Sequence, residues 1–271
     1  MTLSRREVVD LLARHGLRPR RALGQNFVVD PNTVRRIARL AGVGAGDRVV
    51  EIGAGLGSLT LALAETGASV TAVETDPHLV PVLRQVVEAA GVTVVEADAR
   101  RVDWAQLLGD DCWCLVANLP YNVATPLVLD LLEQVPGITR MLVMVQREVG
   151  ERLAAHAGDE AYGAVSVKVA YWATAAVVGA VPATVFVPRP NVESALVRVD
   201  RRPAPAVDPS IERRRLFALV EKGFGQRRKM LRRALAGTVD PSAFACADIR
   251  PEARAEELTI EDWGRLAACS S

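Results

Sequence analysis

Residues 116–121 combine groups that could position an amine for methylation. Asn118 ends an apolar run that predicts a strand, and Leu119, Pro120 and Tyr121 follow it. An exocyclic nucleobase amine is a poor nucleophile, but Asn118 Oδ1 and the Leu119 carbonyl could accept its two protons and hold it in a reactive geometry. Pro120 fixes the turn, and the ring of Tyr121 could stack on an extruded base. The alternative is an ordinary strand-ending turn, since Asn and Pro are common turn residues.

A glycine-rich segment follows the first predicted strand. It reads Glu-Ile-Gly-Ala-Gly-Leu-Gly from Glu51, which places glycines at Gly53, Gly55 and Gly57. Glycines at the carboxyl end of a strand let the backbone approach a ligand, and open α/β sheets bind ligands there. The spacing differs from that of dinucleotide-binding loops, and Glu51 would attract a cation rather than a pyrophosphate. We therefore predict a sulfonium cofactor such as S-adenosylmethionine, with dinucleotide binding as the alternative.

Two further acids stand at the ends of the next predicted strands. Glu74 could accept both hydroxyl protons of a ribose, and Asp98 could accept a proton from an adenine amine. Either acid alone would more often be a surface residue or a helix cap. Together with Glu51 they occupy three successive strand ends, which favours cofactor binding.

The predicted elements alternate between strand and helix. This alternation predicts an α/β fold with an open, mostly parallel sheet and crossover helices. Residues 175–181 and 192–199 are expected to close the sheet as an antiparallel hairpin. A proline-rich linker at 201–205 separates this part from a segment with helical periodicity only. The strands are predicted at 48–52, 69–74, 92–96, 114–117 and 141–146, and the helices at 4–15, 30–40, 58–65, 76–90, 125–134 and 164–173.

Composition narrows the class of protein. A chain of 271 residues favours one larger and one smaller domain. Half of the residues are apolar, but no run reaches the length of a membrane span and the N-terminus does not read as a signal peptide, so we expect a cytoplasmic protein without membrane contact. The four cysteines lack zinc-site spacing, so no metal is predicted. We expect a monomer, because no helix has an evidently spare apolar face.

Charge is distributed unevenly, although the formal net charge is only +1. Residues 201–233 contain eleven Lys or Arg against three acids, and residues 1–36 contain eight Arg against three acids. Two basic ends are typical of a protein that binds a polyanion. The alternative is that these arginines only solvate helix faces.

The chain resembles the KsgA and RsmA family of small-subunit ribosomal RNA adenine dimethyltransferases, which are related to the Erm resistance methyltransferases. The resemblance covers most of the chain. It departs at Ala54, where the family often has proline, and at Gly225, where it often has serine; neither change removes a group that the chemistry needs. The resemblance rests on an ordered series of motifs, namely residues 23–27, the glycine segment, Glu74, Asp98, and residues 118–121, 146–149, 186–194 and 224–229.

This resemblance implies a Rossmann-like class I methyltransferase sheet with a small all-helical C-terminal domain. Residues 1–200 would form the catalytic domain, in which residues 1–30 close over the cofactor. Residues 205–271 would form the helical RNA-binding domain. Cations of that domain would contact RNA phosphates, namely Arg213, Arg214, Arg215, Arg227, Arg228, Lys229, Arg232 and Arg233.

The resemblance also implies roles for residues of the catalytic domain. Asn26 and Val28 would contact S-adenosylmethionine from the N-terminal segment. Its methionine, ribose and adenine parts would be held by Gly53, Glu74 and Asp98 respectively, and Asn118 would touch both cofactor and target amine. Tyr121 and Phe186 would sandwich the flipped adenine, although Phe186 could instead be a core aromatic.

The implied reaction is methyl transfer to N6 of two adjacent adenosines near the 3′ end of 16S rRNA, giving N6-dimethyladenosines. The partner would be 16S rRNA within the 30S subunit or its precursor, with a linked role in ribosome biogenesis. One alternative is an Erm-type enzyme that acts on 23S rRNA. Another is a small-subunit assembly factor whose binding matters more than its catalysis. A DNA adenine methyltransferase is disfavoured because no extended target-recognition domain is present.

Overall fold

The computed structural model describes residues 2–20, 23–120 and 123–270, and the chain divides into two units. The first unit contains the residues up to Gly150 together with Val177–Asp200, and the second contains Glu151–Ala176 and the residues from Arg201 onward. This division differs from the predicted one, which assigns all of residues 1–200 to one domain. The reason is that residues of 151–176, such as Tyr162 and Val167, pack in the hydrophobic core of the second unit.

A sheet of seven strands forms the centre of the first unit. The strands in chain order are β1 Phe27–Val28, β2 Arg48–Ile52, β3 Ser69–Glu74, β4 Thr93–Glu96, β5 Trp113–Asn118, β6 Ile138–Gln146, β7 Ala173–Val181, β8 Phe186–Val187 and β9 Ser194–Arg201. The strand order is β4-β3-β2-β5-β6-β9-β7, in which the pairs from β4 to β6 are parallel and β9 is antiparallel to β6. The predicted α/β class is therefore confirmed, and the two predicted end strands are neighbours.

Helices alternate with the strands from β1 to β6, as a parallel sheet requires, and further helices follow β9. In chain order they are α1 Arg5–Arg14, α2 Pro31–Ala41, α3 Ser58–Ala64, α4 Val80–Val87, α5 Trp104–Leu108, α6 Ala124–Gln134, α7 Arg147–Ala154, α8 Ala164–Trp172, α9 Arg213–Gly225, α10 Leu231–Ala234, α11 Pro241–Cys246 and α12 Ile260–Cys269. Within the described residues, no helix is both long and apolar enough to cross a membrane.

Helix α2 shows how local sequence sets these boundaries. The Asp30 side chain accepts a hydrogen bond from Thr33 N at 2.8 Å, and Pro31 occupies the first turn, where its missing N–H costs nothing. Gly42 ends the helix at φ 61°, a left-handed conformation that favours glycine. The buried residues Val34 and Ile37 then anchor the helix in a core cluster of the first unit.

A second, two-stranded sheet ties the N-terminal segment to the chain after β7. Strand β1 pairs antiparallel with β8, with Phe27 opposite Val187 and Val28 opposite Phe186. The ladder continues beyond it, because Val29 N donates to the carbonyl of Val185 at 2.8 Å. This pairing was not predicted. It holds residues 27–29 in place beside the glycine segment.

The second unit is helical, as predicted for the chain beyond the linker. Its core surrounds Trp263, which is fully buried. A Cβ on Gly223 of α9 would lie 2.5 Å from the Trp263 ring, so only glycine fits at this crossing. Cys246 and Cys269 form a disulfide that joins α11 to α12, a pairing that the sequence analysis did not predict.

Candidate functional site

The predicted site residues of the first unit gather at the carboxyl edge of the parallel sheet. Glu51 lies opposite Ala72 of β3 and Val116 of β5, so the ends of these three strands are level. Two adjoining cavities open there. The first is lined by residues that include Asn26, Val28, Glu51, Gly53, Gly55, Glu74 and Asn118, and the second by residues that include Gly53, Asp98, Arg100, Pro120, Val123 and Leu127. The structure therefore brings together almost all of the predicted cofactor residues.

Backbone conformation explains the glycines of the loop between β2 and α3. Gly53, Gly55 and Gly57 have φ values of 74°, 59° and 87°, all in the left-handed region. A Cβ on Gly55 would also lie 3.0 Å from the Phe27 ring, and one on Gly57 would lie 3.0 Å from Val87. Gly57 therefore serves the packing of α3 against α4, whereas Gly53 and Gly55 line the cavity and leave room for a ligand.

Glu74 is buried at the end of β3 and holds the glycine loop in place. Its Oε2 accepts Gly55 N at 2.8 Å, and its Oε1 accepts the backbone N–H groups of Thr75 and Asp76, both at 2.9 Å. Burial raises the pKa of Glu74, while these three hydrogen bonds lower it. Oε1 already accepts two hydrogen bonds, so the lone pair left on Oε2 is the one that could accept from a ribose hydroxyl.

Glu51 is as buried as Glu74 but has no comparable set of donors. Its side chain is 2% exposed, and Oε2 has no hydrogen-bond partner among the described residues. Burial raises its pKa to about 8; the Thr60 hydroxyl lowers the pKa and the charge of Glu74 raises it further. Neither Glu51 Oε2 nor Thr60 Oγ1 makes a hydrogen bond of ordinary geometry. Glu51 lines the first cavity with a carboxyl group whose Oε2 lacks a hydrogen bond, and such a group fits a cationic ligand.

Asp98 lies in the second cavity and is fixed by a neighbouring cation. The Arg100 side chain donates from Nε to Asp98 Oδ1 at 3.2 Å and from Nη2 to Asp98 Oδ2 at 2.8 Å. The backbone N–H of Arg100 also donates to Oδ1, at 3.0 Å. These hydrogen bonds keep the pKa of Asp98 low, so the group is a carboxylate at neutral pH. Apolar neighbours Val123 and Leu127 line the same cavity. An adenine ring with an N–H donor fits this combination of apolar wall and acceptor.

The N-terminal segment forms one wall of the first cavity through Asn26 and Val28. The contacts that hold it there were not predicted from the sequence. Asp76, which is 3% exposed, accepts Gln25 Nε2 at 2.8 Å and Arg20 NH1 at 3.4 Å. Gln25 belongs to a motif that the sequence analysis singled out, and Asp76 stands two residues beyond Glu74, so this link could have been proposed from the two motifs together.

Asn118 is oriented by a long-range hydrogen bond. Its Nδ2 donates to the main-chain carbonyl of Asn26 at 2.9 Å. Because the N–H end of the amide is thus used by the protein, Oδ1 is the end that could accept from a ligand. Leu119 N donates to the carbonyl of Met144 at 3.0 Å, which fixes the peptide that follows Asn118.

The rest of the motif has a mixed outcome. The Pro120 carbonyl accepts Val123 N and Ala124 N, both at 3.1 Å, and so begins the turn into α6. Tyr121 lies outside the described residues, so its stacking role stays a prediction. Phe186 is 2% exposed and packs in the core cluster that contains Val34, which is the core-aromatic alternative of the sequence analysis. A stacking role for Phe186 would require its ring to leave that cluster.

In the second unit, the eight predicted RNA-binding cations divide into two groups. Four are engaged: Arg213 lies over the Trp172 ring, Arg215 donates to the carbonyl of Ser270, and Arg227 and Arg232 form ion pairs with Glu256 and Glu252 at 2.6 and 3.0 Å. The other four are exposed and have no side-chain partner within residues 2–20, 23–120 and 123–270. We call Arg214, Arg228, Lys229 and Arg233 the open cations.

The fold is that of a class I methyltransferase, and its glycine loop and the acids at successive strand ends line the two cavities. The chain belongs to the ribosomal RNA adenine dimethylase family, whose model matches residues 16–270. It is therefore an enzyme that methylates adenine in ribosomal RNA with S-adenosylmethionine as cofactor, which confirms the predicted family, chemistry and cofactor.

Individual relatives agree with this family. The chain is 49% identical to ribosomal RNA small subunit methyltransferase A of Kineococcus radiotolerans, over 98% of this chain and 91% of the relative. It is 50% identical to the protein of the same name from Thermobifida fusca, over 96% and 93%. Among solved structures it is similar to the 23S rRNA methyltransferase ErmE, with a TM-score of 0.72 and 26% identity over 90% of this chain and 99% of that one. A dimethyladenosine transferase from Plasmodium falciparum shares the fold, with a TM-score of 0.74 and 22% identity over 88% and 94%.

Proposed function

We propose that this enzyme dimethylates N6 of two adjacent adenosines near the 3′ end of 16S rRNA, within the 30S subunit or its precursor. The observation that carries the proposal is the Asn118 amide, which donates Nδ2 to the Asn26 carbonyl and therefore presents Oδ1 as the end that could accept from an amine. Near 50% identity over nearly the whole chain to enzymes named for the small subunit supports that substrate. The reaction would take place in the cytoplasm, with the enzyme acting as a monomer.

The cofactor, when bound, supplies a methyl group that is already activated by its attachment to a sulfonium. Catalysis by this chain is therefore mainly positioning. Asn118 Oδ1 and the Leu119 carbonyl accept the N–H groups of the adenine amine and direct its lone pair. After one transfer only one N–H remains, so the second transfer keeps one of these two acceptors. Tyr121 supplies a stacking surface for the flipped base, which is a sequence-based proposal.

Residues of the two cavities would hold the cofactor. Gly53 and Gly55 give its chain room to approach the backbone, and Glu51 faces its cationic part. Glu74 accepts from a ribose hydroxyl through Oε2, and Asp98 accepts from the adenine amine. Asn26 and Val28 of the N-terminal segment cover the cofactor. A hydrogen bond from Gln25 to Asp76 holds this segment in place.

The open cations of the second unit would contact phosphates of the rRNA. A phosphate contact gives affinity that falls with salt but does not read sequence. Target choice would come from RNA shape and from an unpaired loop whose bases can be extruded. The engaged cations are less available for this role, because ion pairs with Glu256 and Glu252 already neutralise two of them.

The substrate is tested by supplying unmodified 30S and 50S subunits with labelled S-adenosylmethionine and locating the label by mass spectrometry of rRNA fragments. We expect N6-dimethyladenosine at two adjacent positions of 16S rRNA. An Erm-type function is the second candidate, because the similarity to ErmE covers 90% of this chain. Label confined to 23S rRNA would establish that candidate and overturn the proposal.

A role as an assembly factor is compatible with catalysis and is separable from it. An Asn118→Ala variant that still binds immature small subunits but transfers no methyl group would show that the two functions are independent. If the variant also lost subunit binding, binding and catalysis would depend on the same site.

A further inference from the structure

Two buried carboxyl groups face the first cavity from neighbouring strands, and they differ in how they are satisfied. Glu74 accepts three backbone N–H groups, whereas Glu51 Oε2 accepts none. A buried charge without hydrogen bonds or an opposite charge is strongly disfavoured, and two adjacent acids in one site rarely ionise together. The proton in this site therefore belongs on Glu51 rather than on Glu74.

No cation neutralises Glu51 within the described part of the chain. On its own strand and on β5 its neighbours are apolar, and on β3 the nearest titratable group is Glu74, which is also an acid. Helix α3 contributes the uncharged Thr60, and the N-terminal segment contributes the uncharged Asn26 to the same cavity.

Two arginines of the described residues lie at this edge of the sheet, and both are engaged by other acids: Arg100 pairs with Asp98. Arg20 reaches Asp76, two residues beyond Glu74, and Gln25 binds the other oxygen of Asp76. The positive charge that would stabilise an ionised Glu51 must therefore come from a ligand.

We propose that Glu51 is a neutral carboxylic acid in the cofactor-free enzyme and releases its proton to solvent when a cationic group of the methyl donor enters the cavity. The inference rests on the proposed placement of the cofactor. The O–H bond of the Glu51 carboxyl breaks, its proton passes to water or buffer, and the carboxylate then pairs with the sulfonium or ammonium of the cofactor. Charge balances, because one buried negative charge appears together with one buried positive charge.

Proton release makes cofactor affinity depend on pH. Burial places the pKa of Glu51 at about 8, so the group must lose its proton on binding throughout the neutral range. Because one proton is released, the binding constant should increase by up to about tenfold for each unit that the pH rises toward that value. Glu51→Gln carries no titrating proton at this position, so its affinity should not change with pH for this reason.

Calorimetry on the full-length enzyme tests the release directly. We would measure binding of two ligands, S-adenosylmethionine and S-adenosylhomocysteine, the second of which lacks the sulfonium. Each titration is repeated in buffers of different ionisation enthalpy, which gives the number of protons released. Titrations at about pH 6 and about pH 7 give the pH dependence, because one linked proton would change the affinity by up to about tenfold between them. We expect the wild-type protein to release about one proton on binding, and Glu51→Gln to release none. Glu96→Gln is the matched control, because Glu96 is an exposed carboxylate at the end of β4, and it should release the same proton as the wild type.

The two ligands identify the partner of Glu51. Release with both assigns it to the ammonium group, and release with S-adenosylmethionine alone assigns it to the sulfonium; either result supports the proposal. Infrared spectroscopy of the wild type gives a second readout without a variant, since the carbonyl band of a protonated carboxyl should be present in the free enzyme and lost on binding.

Three results would overturn the proposal. The first is that the wild type binds the cofactor without releasing a proton. The second is that Glu51→Gln releases as many protons as the wild type. The third is that the free enzyme shows no band of a protonated carboxyl group. A different failure is also recognisable: if neither ligand binds, the placement of the cofactor itself is wrong.

Discussion

The cofactor cavity of the first unit and the open cations of the second unit differ in how their functional groups are held. In the cavity, Glu51 and Glu74 are buried, and Asn118 is fixed by a defined hydrogen bond. In the second unit, the open cations are exposed and have no side-chain partner among the described residues. A reaction that depends on positioning needs single atoms in single places, whereas affinity for a polyanion is a sum over many exposed charges. We therefore expect single substitutions to have severe effects in the cavity and mild effects at the open cations.

The largest effect is expected at Asn118. Asn118→Ala removes the amine acceptor Oδ1 and the hydrogen bond to the Asn26 carbonyl. Loss of one positioning group costs about 100-fold or more in kcat, and we expect at least that loss in single-turnover methyl transfer. Cofactor affinity, measured by calorimetry, should change much less.

Asn26→Ala is the control for this prediction. The bond from Asn118 ends on the main-chain carbonyl of residue 26, which alanine retains, so the amide stays oriented. This variant should weaken cofactor binding more than it lowers kcat. Equal losses of kcat in both variants would argue against a direct role of Oδ1.

The next effect is on stability and concerns Glu51. Its pKa in the folded protein is about 8, above the ordinary value of 4.5, so folding takes up a proton between these pH values. The free energy of unfolding contributed by this group is therefore present at acid pH and is lost as pH rises through about 8. As the pH rises from about 5 to about 8, the free energy of unfolding of cofactor-free Glu51→Gln should therefore increase by a few kcal/mol relative to that of the wild type. Denaturant titrations at several pH values measure this change.

Asp98→Asn is the control, because its effect on the free energy of unfolding should depend on pH in the opposite direction. Arg100 lowers the pKa of Asp98, so the stability that this carboxylate contributes is present at neutral pH and is lost as pH falls through its folded pKa. Asp98→Asn should therefore be less stable than the wild type at neutral pH, with the difference disappearing in acid. A pH-independent difference between Glu51→Gln and the wild type would contradict the raised pKa of Glu51.

These contrasts also show which features the sequence could predict. The strands 48–52 and 69–74 match the structure residue for residue, because each is a local run of apolar and β-branched residues bounded by glycine or acid. The glycine loop and Asn118 each follow or end such a strand. Because a parallel sheet brings the carboxyl ends of its strands to one edge, the sequence also predicted that they lie at the same site. Local pattern therefore sufficed for the cofactor edge of the sheet.

Features that depend on contacts between distant segments were not predicted. Strands of two residues, such as β1 and β8, have no periodicity, and their pairing exists only once the sheet has formed. The link from Gln25 to Asp76, the disulfide between α11 and α12 and the packing of residues 151–176 with the second unit have the same character. The division of the RNA-binding cations into open and engaged groups also depends on acids far away in sequence, such as Glu256.

A smaller effect is expected in the glycine loop. Gly55→Ala forces a side chain into a left-handed conformation, which costs about 1 to 2 kcal/mol, and brings its Cβ to 3.0 Å from the Phe27 ring. Because Gly55 lines the cavity and Phe27 belongs to the segment that covers it, we expect cofactor affinity to fall by about tenfold, equivalent to about 1.4 kcal/mol. Gly46→Ala is the matched control, since Gly46 has φ 91° but open space around it. Both variants should lose thermal stability; loss of affinity in both would mean that backbone strain alone explains the effect.

The smallest effect per residue is expected at the open cations of the second unit. Replacing the open cations Arg228 and Lys229 by glutamine should lower rRNA affinity several-fold and reduce the slope of log affinity against log salt by about 0.7 to 0.9 per cation. The matched double variant replaces Arg227 and Arg232, which are paired with Glu256 and Glu252, and should reduce the slope less because those charges are already partly neutralised. Filter binding to unmodified 30S subunits over a range of salt concentrations measures both. Equal slope changes would mean that the ion pairs open when RNA binds, and the open and engaged cations would then act as one charged surface.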